Sequence, residues 1–191
     1  METRMLLQFK FSSEEYIQHP INQELVTQKL QSLKKVTDDP KTGFLSCLIE
    51  QESLKKCSDV YQQFSSKKHF FHVGIGGSSL GPEMLIKALK KNSNGVTFEF
   101  LNNIDSDEIF DQINSIKNIE DTLFYVVSKS GGTSETIATL AIIFNLLENK
   151  YHIQKDKLKN YIIFCTDPEK GDLKQVAKEY SLSCLDVPLS V

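Results

Sequence analysis

The sequence predicts an α/β protein: a five-stranded parallel sheet covered on both faces by helices. Three observations predict it. From residue 69 onward, short apolar runs alternate with segments of helical periodicity, at the spacing of right-handed βαβ units. Two of the apolar runs end in loops rich in glycine and serine that open directly onto a helical pattern. And 40% of the 191 residues are apolar, which suits one domain with a proper core plus an appended segment.

Residues 1–66 are polar and helix-like and are expected to form a helical N-terminal arm packed on the main domain. Ile21 to Val36 carries Leu25, Leu30, Leu33 and Val36 at loosely helical spacing. Gly43 to Phe64 carries Leu45, Leu48, Ile49, Leu54, Val60 and Phe64, with Pro20 and Pro40 as punctuation. The main domain is expected to span 67–191. Within it the apolar runs predict strands at 69–74, 97–101, 122–127, 160–165 and 183–186. The intervening patterns predict helices at 80–92, 105–116, 134–149 and 169–179. The third of these has Ile137, Leu140, Ala141, Phe144 and Leu147 on one face. Ile142, Ile143 and Leu146 on the other face predict burial nearly all round. After the last strand the chain runs Asp186-Val187-Pro188-Leu189-Ser190-Val191 without a closing helix, and this end is expected to be a truncated domain edge.

Charge and cysteine usage narrow the function classes. A net charge of −3, with lysines paired at places such as Lys34-Lys35 and Lys67-Lys68 but never in a long run, argues against nucleic acid, which needs clustered positive charge. Cys47, Cys57, Cys165 and Cys184 form no CxxC pair and match no zinc spacing, so they are expected to be free thiols in a reducing compartment and no metal is expected. The start, Met1-Glu2-Thr3-Arg4-Met5-Leu6-Leu7, is not a signal peptide, and no stretch reaches the length of a membrane span. A cytoplasmic protein with no membrane partner is the expectation.

The chemistry is concentrated in the two loops. His69-Phe70-Phe71-His72-Val73 runs into Gly74-Ile75-Gly76-Gly77-Ser78-Ser79-Leu80-Gly81-Pro82. A glycine-rich turn between strand and helix presents backbone N–H groups where the helix dipole favours an anion. The dinucleotide fingerprint fails, because Ser79 stands where its third glycine belongs, and no Gly-Lys-Ser/Thr of a Walker loop follows. A tight turn without a ligand is the alternative reading. Leu123-Phe124-Tyr125-Val126-Val127 then runs into Ser128-Lys129-Ser130-Gly131-Gly132-Thr133-Ser134-Glu135-Thr136, five hydroxyls within nine residues at a helix start. Gly131 and Gly132 allow close backbone approach to an anion, and Lys129 can add charge. Helix capping alone is the alternative there. No Asp pair placed for Mg²⁺ accompanies the loop, so it suits a phosphomonoester rather than a triphosphate. Loops of this kind sit outside the carboxyl ends of the strands, where parallel sheets bind ligands.

Val73 to Pro82 resembles the first signature of the glucose-6-phosphate isomerase family, and Val127 to Thr136 resembles its sugar-phosphate loop in the SKSGGT form. Asn103-Ile104-Asp105 also fits the family pattern, and the likeness covers roughly residues 45–191. The resemblance implies a sugar isomerase (SIS) domain, a three-layer αβα sandwich. It implies Ser128, Ser130 and Thr133 as phosphate-binding hydroxyls, with Lys129 contributing backbone and charge. It implies Gly77 and Ser78 as residues that meet the sugar, and Glu135 as support beside the active site.

The implied activity is the interconversion of glucose 6-phosphate and fructose 6-phosphate, a step of glycolysis and gluconeogenesis, with no cofactor. The implied partners are a hexose 6-phosphate, the remainder of the same polypeptide and, when complete, a second copy in a homodimer. The family's Gly-Gly-Arg segment, glutamate base, ring-opening histidine and lysine are expected to lie outside this chain. His19, His69, His72 and His152 do not match that histidine, and His69 and His72 lie three apart on a strand, facing opposite sides. The chain is therefore expected to be inactive alone. A non-catalytic SIS-domain sugar-phosphate sensor and a single-domain isomerase of another sugar phosphate remain the alternatives.

Overall fold

A computed structural model describes residues 23–37, 51–89 and 95–188. Two compact units divide the chain, Met1–Thr42 and Gly43–Val191. Of the first unit, one helix is described, α1 (Gln23–Thr37), an amphipathic segment with Glu24 in its first turn and Lys34 and Lys35 in its last, each matched to the helix dipole. The arm residues Leu45, Leu48 and Ile49 lie outside the described residues.

The second unit runs α2 (Gln51–Gln63), β1 (His69–Val73), α3 (Gly77–Leu89), β2 (Thr97–Leu101), α4 (Ser106–Asn114), β3 (Thr122–Ser128), α5 (Ser134–Asn145), β4 (Ile162–Thr166), α6 (Asp172–Tyr180) and β5 (Ser183–Asp186). All five strands are parallel, in the order β2-β1-β3-β4-β5. The predicted α/β class and strand number hold.

Strand register decides which residues meet. Phe71 pairs with Phe124 and Val73 with Val126. Phe124 pairs with Ile162 and Val126 with Phe164. These six buried side chains share one face of the sheet. Ile109 and Ile113 of α4, Leu140 and Ile143 of α5, and Leu173 and Ala177 of α6 pack on them. Truncating any of the fully buried Phe71, Phe124 or Phe164 to alanine is expected to cost about 3–5 kcal/mol. The opposite face carries Phe70, Leu123, Tyr125, Ile163 and Leu185, against Val60 and Phe64 at the end of α2. Between α2 and α3 an apolar cavity of about 280 Å³ remains over this face, bordered by Val60, Phe70, Pro82, Ile86 and Tyr125.

Several boundaries differ from expectation for local reasons. α3 starts at Gly77, because Ser79 and Leu80 already donate to the Gly76 carbonyl. α6 starts at Asp172, because the Asp167 carboxylate takes the N–H groups of Glu169 and Lys170 in a separate turn. β4 starts at Ile162, after a 3₁₀ segment over Lys155–Asn160. α5 gives way at Leu146–Lys150 to a π-helical turn. Its expected burial all round is corrected too. Thr136, Thr139, Leu140 and Ile143 face inward, while Ala141 and Ile142 are exposed, Ile142 at 44%. Polar threonines on the inward face replace part of the apolar stripe that the pattern suggested.

Candidate functional site

The two loops emerge side by side, from the carboxyl ends of the adjacent strands β1 and β3. The contact is close at Gly74, where a Cβ would lie 3.1 Å from the Val127 carbonyl oxygen and 3.1 Å from Ser78 Cβ. A side chain there would press on both, so glycine suits the close approach of the first loop to the end of β3.

The second loop begins at Ser128, the buried last residue of β3, in register with Thr166 of β4. Ser128 Oγ is 2.8 Å from Thr133 Oγ1 and accepts the Gly131 N–H at 3.2 Å. Ser130 Oγ accepts the Gly132 N–H at 3.3 Å. Thr133 occupies the N-cap of α5, with φ −63° and ψ 119°, but its side chain makes no capping bond. At α4 the capping is complete: Asp105 accepts from Asp107 N–H at 3.1 Å and Glu108 N–H at 3.0 Å. The opening amides of α5 thus have no side-chain acceptor, at the positive end of a helix dipole.

A third segment, 167–173, buttresses this loop. Asp167 N–H donates to the Lys129 carbonyl at 3.2 Å, and Leu173 N–H to the Gly131 carbonyl at 3.0 Å. Gly131 has φ +71°, and a Cβ there would lie 2.8 Å from Thr166 Oγ1. Gly171 has φ +96°, and a Cβ there would collide with the Ser130 carbonyl oxygen. With its carbonyls engaged by the buttress, the loop offers hydroxyls and amides. Lys129, exposed, is its own cation. Asp172 sets a carboxylate oxygen 3.5 Å from where a Gly132 Cβ would stand, a negative charge at the loop's far side. Backbone donors hold the Asp167 carboxyl below the usual range, so it stays ionised.

In the first loop Gly76 has φ +58° and turns the chain, with Ser78 N–H donating to the Ile75 carbonyl at 3.2 Å. Gly77 is exposed and Ser78 half-buried. Glu135, half-buried in the first turn of α5, borders a narrow crevice with Gly74, Ile75, Asn102 and Asn103, and so lies against the first loop. Ser128 and Thr133 are brought together, Ser130 lies two residues along the same loop and turns to Gly132, and Glu135 faces the first loop and the end of β2.

His69 and His72 do face opposite sides. His69 packs on Phe71 and lies 3.9 Å from Glu99 Oε1. His72 lies between Phe100 and Tyr125. His19 lies outside the described residues. Among the described residues no cluster of three His, Cys, Asp or Glu side chains could hold a metal. No loop hydroxyl borders the 280 Å³ cavity. The sequence reading missed Thr166, Asp167 and Gly171. Gly171 carried a signal, a glycine ahead of an apolar helical pattern, but the expected helix at 169–179 absorbed it.

A family model described as phosphoglucose isomerase matches residues 50–179. A glucose-6-phosphate isomerase of Carboxydothermus hydrogenoformans is 32% identical over 182 residues, 88% of this chain and 38% of that protein. One of Thermus thermophilus is 31% identical over 149 residues, 78% of this chain and 34% of that protein. Among solved structures, a Thermus thermophilus protein described as hypothetical superposes with a TM-score of 0.75 at 26% identity, over 88% of this chain and 41% of its own. A glucose-6-phosphate isomerase of Chlamydia trachomatis has the same fold, with a TM-score of 0.61 at 24% identity over 74% of this chain and 26% of its own. A parallel α/β sheet with two loops rich in glycine and serine at its carboxyl edge defines the class, and the chain belongs to the phosphoglucose isomerase family. It spans little more than a third of the length of these curated relatives.

Proposed function

We propose that this chain carries the phosphate-binding part of a glucose-6-phosphate isomerase. One observation carries the reading. The Thr133 hydroxyl, at the N-cap of α5, turns to Ser128 and leaves the helix amides without a side-chain acceptor. A phosphate monoester would supply the missing acceptor, taking hydroxyl bonds from Ser128, Ser130 and Thr133, with Lys129 adding charge. Gly77 and Ser78 on the adjacent loop would meet the sugar of a hexose 6-phosphate. Glu135 would support the sugar end from the crevice that it borders with Gly74 and Ile75 of the first loop. Binding the phosphate, which does not react, would orient the sugar for proton transfer between adjacent carbons through a cis-enediol. That chemistry needs a carboxylate base and no cofactor, and we place the base outside these residues. The isolated chain would then bind substrate without turning it over. The complete protein would work as a cytoplasmic homodimer.

The test pairs binding with turnover. The purified chain is titrated with glucose 6-phosphate by calorimetry, and the same preparation is assayed for fructose 6-phosphate formation. Binding without turnover is the expected result. Absence of binding would overturn the phosphate assignment, and turnover at an ordinary enzymatic rate would overturn the placement of the base.

A further inference from the structure

We infer that His72 is a positioning residue that fixes the sugar-facing edge of the first loop by holding the Ser78 carbonyl. The inference rests on the reading that Gly77 and Ser78 meet the sugar.

The need arises from Pro82. In a regular α-helix the carbonyl of residue 78 accepts the N–H of residue 82. Pro82 lies inside α3 and has no N–H, so the Ser78 carbonyl is orphaned by the sequence itself. Ser78 is half-buried, and its carbonyl oxygen lies 3.3 Å from where a Gly74 Cβ would stand, turned towards the strand end. An unpaired carbonyl there is costly.

His72 supplies the donor. Its Nε2 is 2.7 Å from the Ser78 oxygen. A carbonyl only accepts, so Nε2 carries the proton and the tautomer is fixed. The ring itself is held on both sides. Register places His72 opposite Phe100 of β2 and Tyr125 of β3, and the ring centroids are 5.2 and 5.3 Å away. His72 is 5% exposed. Burial lowers its pKa, against smaller opposing effects of the Ser78 carbonyl and of Glu83 on α3, which favours the neutral ring. The loop edge is therefore tied to a side chain clamped between its two strand neighbours, near the carboxyl end of β1. Ser78 and Gly77 cannot shift without breaking that bond.

Two variants and one double variant test this. His72→Phe keeps an aromatic body and removes the donor. His72→Gln keeps an N–H at a similar reach. Pro82→Ala added to His72→Phe restores a helical N–H for the Ser78 carbonyl. Amide exchange over residues 74–80 in the free chain reports the pinning, and titrations with inorganic phosphate and fructose 6-phosphate report its consequence.

In His72→Phe, exchange should quicken and fructose 6-phosphate should bind about tenfold more weakly, the loss of one hydrogen bond's worth of order. Inorganic phosphate should stay within about twofold, because the second loop holds it. His72→Gln and the double variant should both recover most of the loss. Unchanged exchange in His72→Phe, equal weakening of both ligands, or failure of both rescues would overturn the inference. If the wild-type chain binds neither ligand, the reading of the site fails, and exchange in the three variants alone decides whether His72 pins the loop.

Discussion

The Thr133 hydroxyl lies 2.8 Å from Ser128 Oγ, and not on the amides of the helix it precedes. A threonine at an N-cap ordinarily satisfies its own helix. Here it joins the last residue of one strand to the first turn of the next helix, so two hydroxyls converge where the amides are open. Replacing Thr133 with valine keeps the shape and removes the hydroxyl. A hydrogen bond to a charged group is worth about 1.5–3 kcal/mol, so phosphate affinity should fall at least tenfold with little change in melting temperature. Equal affinity by calorimetry would remove Thr133 from the site.

The buttress predicts an order of glycine sensitivity. Gly171→Ala combines φ +96° with a collision against the Ser130 carbonyl and should be the most destabilising. Gly131→Ala combines φ +71° with a 2.8 Å approach to the Thr166 hydroxyl and should follow. Gly76→Ala meets open space and should cost only the left-handed backbone penalty, about 1–2 kcal/mol. Gly77→Ala meets neither obstacle and should be near neutral. Urea midpoints for the four variants check the ranking. An inverted order would mean that the 167–173 segment does not support the loop.

Stability should fall as pH drops from neutral. Burial lowers the pKa of both His69 and His72. Below about pH 6.5 the unfolded chain takes up protons that these folded imidazoles resist, so the unfolded state binds more protons and unfolding is favoured. Asp167 adds a separate loss at lower pH, because its depressed carboxyl is protonated more readily in the unfolded chain. Urea midpoints at about pH 7.5 and about pH 5.5 should differ, and His72→Gln should narrow the difference. A flat profile between those values would contradict the burial of both rings.

Much of this was legible in the sequence, and what was not follows a pattern. Strand positions were readable because the inner strands are short unbroken apolar runs in the sequence, as in Leu123 to Val127 and Ile162 to Cys165. The two loops were readable because glycines and hydroxyls cluster there directly after an apolar run. Helix starts at Gly77 and Asp172 were misjudged because the deciding bonds come from turns, Gly76 in one case and the Asp167 carboxylate in the other. The exposed Ile142 was misjudged because Thr136 and Thr139 take the inward positions, which composition does not reveal. The roles of Gly171, Thr166 and His72 depend on neighbours distant in sequence or on which side chain turns inward, and no local pattern encodes them.

Around the last strand, none of Leu182, Cys184, Leu185 and Val187 is fully exposed. Leu182 is buried and the other three are half-buried. α3 exposes several large apolar side chains: Leu80 is 65%, Met84 61%, Leu85 54% and Leu89 76% exposed. Exposed apolar side chains grouped on one helix promote association. Light scattering over a range of concentrations should show self-association of the chain, and Met84→Lys with Leu89→Lys should reduce it. A monomer at every concentration would contradict this.

In the proposed site, the amides opening α5, together with the Ser128 and Thr133 hydroxyls, take the phosphate of a hexose phosphate. Amide chemical shifts followed by nuclear magnetic resonance during titration with fructose 6-phosphate test it most directly. The account predicts the largest changes at Gly131 to Thr136, reproduced there by inorganic phosphate, with further changes at Gly76 to Ser79 only when the sugar is present. Shifts confined to other parts of the sheet, or none at Gly131 to Thr136 at saturating ligand, would contradict it.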